Sequence, residues 1–230
     1  MKTNDQSTNQ RRDFLKQIAT GAAVLGAGSM LTAPLQLSAE GHLSSDVSEA
    51  DAWFNKVRGK HKIVFDVIEP KGIFPFAWPK IFLVTNGATG TTEKDCGVVV
   101  ILRHNGIPFA MNNDLWAKYK FGEMFKVYEE DGKTPVTSNP FWQPKAMPIP
   151  GVGEVKIGIN DLQDSGVMFC VCDMALTVYS AVTAMGLKQD PAAIHKEWLA
   201  GLLPNVQPVP SGVWAVGRAQ EHGCSYCFVG

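Results

Sequence analysis

Phe169-Cys170-Val171-Cys172-Asp173-Met174-Ala175-Leu176 is the stretch that decides the fold class of this chain. An apolar run stops at Cys172, and from Asp173 onward the apolar positions take helical spacing. That change of period predicts a β-strand, starting near Val167, that feeds straight into a helix. In open α/β sheets the junction after a strand's carboxyl end is where ligands bind and chemistry is done. The tail repeats the pattern: a short strand at Val206 to Val209, a turn at Pro210-Ser211-Gly212, a helix from about Val213 to His222, then a last strand. Two consecutive strand-turn-helix units imply an α/β protein with a parallel sheet.

Upstream, His61 to Ile68 predicts the first strand, and Gly97 to Leu102 predicts another. The latter is apolar at every position, which suits a parallel strand buried on both faces. Phe74 to Thr85 reads as a helix with Pro75 and Pro79 near its start, where proline is tolerated. Asn113 to Tyr128 reads as a longer helix capped by Asn112 or Asn113, and Gly158 to Asp164 as the end of one. Asp131 to Gly153 carries Pro135, Pro140, Pro144, Pro148 and Pro150 and predicts a long irregular insertion. Its Phe141, Trp142 and Met147 favour a packed lid or an oligomer contact over disorder.

The N-terminus reads Asn9-Gln10-Arg11-Arg12-Asp13-Phe14-Leu15-Lys16, followed by a mildly apolar run from about Ile18 to Leu31, Pro34, and Ser38-Ala39. Paired arginines ahead of Phe-Leu-Lys are a twin-arginine export signal, so residues 1–39 are expected to be a signal and the product periplasmic. The apolar run is shorter than the about 20 residues of a membrane span. Leu37 is large for a cleavage site, so a retained anchor stays open as the route to a membrane. Residues 40–60 are a polar linker with a short helix near Ala50 to Val57, and 61–230 the folded domain. Roughly 190 residues after the signal suit one sizeable core. A net charge of -1 with 19% charged residues gives no basic surface for nucleic acid.

The tail residues Val209, Pro210, Ser211, Gly212, Arg218, Gln220, Gly223 and Tyr226, the cysteine Cys172 with Ala175 or Leu176 after it, and the opening strand His61 to Ile68 resemble the DsrE/DsrF-like family. The likeness spans roughly residues 60 to 229 with a gap in the middle. It implies a three-layer sandwich around a mostly parallel sheet of about five strands. It also implies a homo-oligomer, a sulfur donor or acceptor protein as partner, and Cys172 as a persulfide-carrying thiol. Cys170, Cys224, Cys227 and the segment from Tyr128 to Val152 depart from the family pattern.

Cys172 is the leading catalytic candidate. A thiol between a strand and a helix N-terminus feels partial positive charge, which favours thiolate and predicts a pKa below the free value of about 8.5. Its bland alternative is a buried structural cysteine. Cys170 lies on the same face of the strand and reads as core packing, with a resolving thiol or second ligand beside Cys172 as its alternative. Cys224-Ser225-Tyr226-Cys227 has C-x-x-C spacing, which fits a disulfide or packing, or else a metal or redox site with Cys172 or His222. Cys172, Cys224 and Cys227 are therefore the metal candidates, with no cofactor identified. His104 follows the clearest strand and is a candidate acid or base. His195 sits on a helix face without a second histidine at zincin spacing, and no phosphate loop, Rossmann glycine triplet or nucleophile-elbow serine is present. The expected function is sulfur or redox handling at Cys172. The rivals are a non-catalytic periplasmic binding or accessory protein with a metal or small ligand in a Cys-rich crevice, and a thiol-disulfide exchanger at Cys224 and Cys227.

Overall fold

The computed structural model describes residues 47–149 and 151–230; the export signal read at residues 1–39 lies outside them. Strands β1 (His61–Val67), β2 (Cys96–Leu102), β5 (Met168–Cys172), β6 (Val206–Val209) and β7 (Ser225–Val229) form a five-stranded sheet in the order β6-β5-β2-β1-β7. Every pairing in it is parallel. A separate antiparallel hairpin, β3 (Met147–Ile149) with β4 (Gly153–Val155), stands in the proline-rich insertion.

The helices are α1 (Val47–Phe54), α2 (Phe74–Ala88), α3 (Asn113–Tyr119), α4 (Phe121–Met124), α5 (Ile159–Asp164), α6 (Asp173–Leu187), α7 (Pro191–Ala200) and α8 (Gly212–Glu221). From β1 to β2, β5 and β6 the chain steps in one direction across the sheet, and α2 through α7 pack on one face. From β6 it returns across the whole sheet to β7 on the far edge. A right-handed crossover in that reverse direction must lay its helix on the opposite face, and α8 is found there beside α1. The result is three layers, as the resemblance implied.

Alternation along the strands sorts the core into two halves. Val64, Val99, Ile101, Cys170 and Val209 meet Phe54, Ala215 and Ala219 under α1 and α8. Phe65, Val100, Leu102, Phe169 and Val171 meet Phe76, Leu83, Trp116, Leu176 and Trp198 on the other face. β2, in the centre, is buried at all its positions, which explains its unbroken apolar sequence.

Two expectations change. The helix expected over Asn113 to Tyr128 breaks at Lys120, whose left-handed φ of 52° closes α3 with its N–H on the Trp116 carbonyl. The turn drives Phe121 into ring contacts with Trp116, Tyr119 and Trp198, so burial overrides the helical period. The segment Gly158 to Asp164, expected as the end of a helix, is the whole of one: Gly158 is its N-cap, with the Asp161 carboxylate accepting the Gly158 N–H. The insertion is part of the core: Phe141 is buried with its ring 4.3 Å from that of Phe76. Buried Asn139 donates to the Phe109 and Met111 carbonyls and ties the irregular backbone down. Among the described residues no helix is long and apolar enough to cross a membrane.

Candidate functional site

α6 leaves β5 onto one face of the sheet and α8 leaves β6 onto the other, while Cys172 and Val209 stand side by side in the ladder. The carboxyl ends of β5 and β6 are therefore a topological switch point, where diverging connections open a crevice. Cys172 is buried at that point, at the N-cap of α6. Its Sγ accepts the Ala175 N–H at 3.3 Å, and the backbone amide of Gly212, the first residue of α8, favours negative charge on it. The thiol takes the place that a serine or aspartate oxygen usually fills at a helix start, here that of α6, while α8 is capped by the Ser211 hydroxyl accepting the Trp214 N–H.

A row of polar groups crosses the sheet beside it. Asp66 near the end of β1 is buried, and its carboxylate accepts Arg103 Nε at 2.6 Å, Arg103 Nη2 at 2.8 Å and the Tyr226 hydroxyl at 2.8 Å. Arg103 follows β2 and lies against Gly212: a Cβ placed on Gly212 would stand 2.4 Å from Arg103 Cδ. Only glycine leaves room for this approach. The pairing with Asp66 holds the Arg103 guanidinium more firmly protonated than usual.

Charge and burial compete at Cys172. Burial pushes the thiol up from its ordinary value; the Gly212 and Ala175 N–H groups pull it down, Asp173 raises it further, and Arg103 lowers it. Burial wins, so the strand-to-helix junction supplies the expected thiolate-stabilising groups without the expected low pKa. Cys170, wholly buried two residues earlier, is pushed well above its ordinary value by desolvation and then by the charges of Cys172 and Asp66.

His104 contacts a different set of groups. It is a left-handed residue, φ 51°, whose side chain is 56% exposed and faces Tyr179 (Nδ1 to hydroxyl 3.5 Å) and Glu69 (3.9 Å). Tyr179 and Glu69 both bond Asn105, making a network under α6. Cys224 packs on the α8 face and Cys227 on the other, and both thiols are free. Because Ser225 to Val229 is a strand, the C-x-x-C sulfurs diverge and form no disulfide. Among the described residues no group of three His, Cys, Asp or Glu side chains is placed to hold a metal, so Cys172, Cys224 and Cys227 do not converge.

The sequence reading passed over Asp66 and the partner of His195. An acid inside the apolar strand His61 to Val67 must find a partner if it is buried, and that was the available signal for Asp66. His195 Nε2 lies 2.7 Å from the buried Asp173 carboxylate, tying α7 to the residue after Cys172. No family model matches the chain, and no curated protein does. Among solved structures, a protein of unknown function from Methanobacterium thermoautotrophicum is similar over 74% of this chain and 100% of its own, with 16% identity and a TM-score of 0.37.

Proposed function

We propose that this chain is an exported, DsrE-like carrier of sulfane sulfur, working as a homo-oligomer, with Cys172 as the thiol that is loaded and unloaded. The observation that carries this reading is the place of Cys172 at the switch point, where its Sγ accepts the Ala175 N–H and the Gly212 amide also favours negative charge on it. Such donors stabilise negative charge on Sγ both when it attacks and when it leaves.

In the forward step the Cys172 thiol gives its proton to solvent and the thiolate attacks the outer sulfur of a donor persulfide, R–S–SH. The Sγ–S bond forms as the donor's S–S bond breaks, and the electron pair departs on the donor sulfur. The products are Cys172–S–SH and the donor thiolate, with no net oxidation. Delivery is the same exchange with an acceptor thiolate attacking the outer sulfur. His104, whose side chain faces Tyr179 and Glu69, is not assigned to the step. Reduced full-length chain treated with polysulfide is expected to take up cyanide-labile sulfur, and Cys172→Ser to lose that uptake. Equal uptake in the variant would refute the reading.

A further inference from the structure

Three strands converge to hold one guanidinium. Asp66 from β1 takes Arg103 in a bidentate grip, Tyr226 from β7 donates to the same carboxylate, and Arg103 itself leaves the end of β2. A buried ion pair adds little net stability over apolar packing, so stability alone is a poor reason for this arrangement. Its placement supplies a better one. The grip uses Nε and Nη2, which fixes the plane of the guanidinium, and the methylene stem of Arg103 is seated on Gly212. Gly212 is also the residue whose backbone amide favours negative charge on Cys172 Sγ.

We propose that Arg103 is the positioning residue of Cys172: clamped by Asp66 and seated on Gly212, it sets a fixed positive charge near Sγ and keeps the Gly212 amide aimed at it. This deepens the reading of Cys172 as the sulfur-carrying thiol and rests on it. The groups that face Sγ are few. Asp173 on its own helix opposes the charge of Arg103, and Cys170 lies two residues back on the strand. Asp66 and Tyr226 act from behind Arg103, and α8 contributes the Gly212 amide. Arg103 is thus the cation of the set, and a lysine would keep the charge while losing the planar fork that Asp66 holds.

The test is the pH profile of Cys172 alkylation by iodoacetamide, mapped by mass spectrometry on the full chain. Arg103→Met is expected to move the inflection to more alkaline pH and to slow alkylation at neutral pH by about tenfold, the change in thiolate for one pKa unit. Arg103→Lys should fall between wild type and Arg103→Met. Gly212→Ala, which pushes Arg103 off its seat, should move the profile in the same direction as Arg103→Met. If Arg103→Met loses its near-ultraviolet circular dichroism, the other two variants decide. Profiles that superimpose on wild type would overturn the proposal. Alkylation needs no sulfur donor, so the two ideas fail separately. An Arg103-dependent profile in a chain that takes up no sulfur refutes only the carrier function, and sulfur uptake with an Arg103-independent profile refutes only the positioning role.

Discussion

Two cysteines on one face of β5 have different fates because one of them reaches the end of the strand. Cys170 is enclosed between β5 and α8 with no exposure, whereas Cys172 is met by amides and by the charge of Arg103. Burial raises the pKa of both, so the neutral thiol is the folded form that burial favours. For a thiol raised above its unfolded value, the folded state binds the proton more tightly. The stabilisation is complete below the unfolded value of about 8.5 and is lost as pH climbs toward the folded value. Urea midpoints should therefore fall with alkalinity above about pH 8.5, and Cys170→Ala should flatten that fall. An unchanged slope in the variant would contradict the assignment of the effect to Cys170. Cys172 was legible from its strand-to-helix junction, but its pKa direction was not, since burial depends on what α8 brings over it. The Asp66–Arg103 pair spans 37 residues and joins different strands, which no local pattern reveals.

Elements with strong local signals were read to within a few residues. β6 is Val206–Val209 as expected, β2 begins one residue before its expected start, and α8 begins at Gly212 with Ser211 capping the Trp214 N–H. Misreadings fell where side chains far apart in sequence take over, as at Lys120. α6 and α7 are joined by His195 and Asp173, and Thr177 adds a contact to the same imidazole nitrogen at 3.4 Å. Removing the imidazole takes one partner from a buried carboxylate at the start of α6. His195→Ala is expected to lower unfolding free energy by about 1–3 kcal/mol in urea titrations. A change near zero would show that the pair does not anchor the helix that begins beside Cys172.

At the scale of the whole molecule, the parallel sheet was legible from consecutive strand-turn-helix units, while the strand order was not. Nothing local in Ser225 to Val229 says that β7 pairs with β1 on the edge opposite β6. That return crossing puts α8, and with it Gly212, over Cys172 and Arg103, so the site depends on the topology. The export proposal rests on Arg11 and Arg12. Replacing both with lysine keeps the charge but removes the guanidinium planes, and the precursor is then expected to stay in the cytoplasm by cell fractionation. Unchanged export would point to another route. The carrier function itself is tested most directly by finding where sulfur lands. The reduced full-length chain is treated with polysulfide, trapped by alkylation and digested, with fragment ions separating Cys170 from Cys172. The account predicts added sulfur on Cys172 and none on Cys170, Cys96 or Cys224; sulfur absent from Cys172, or equally present on Cys96, would contradict it.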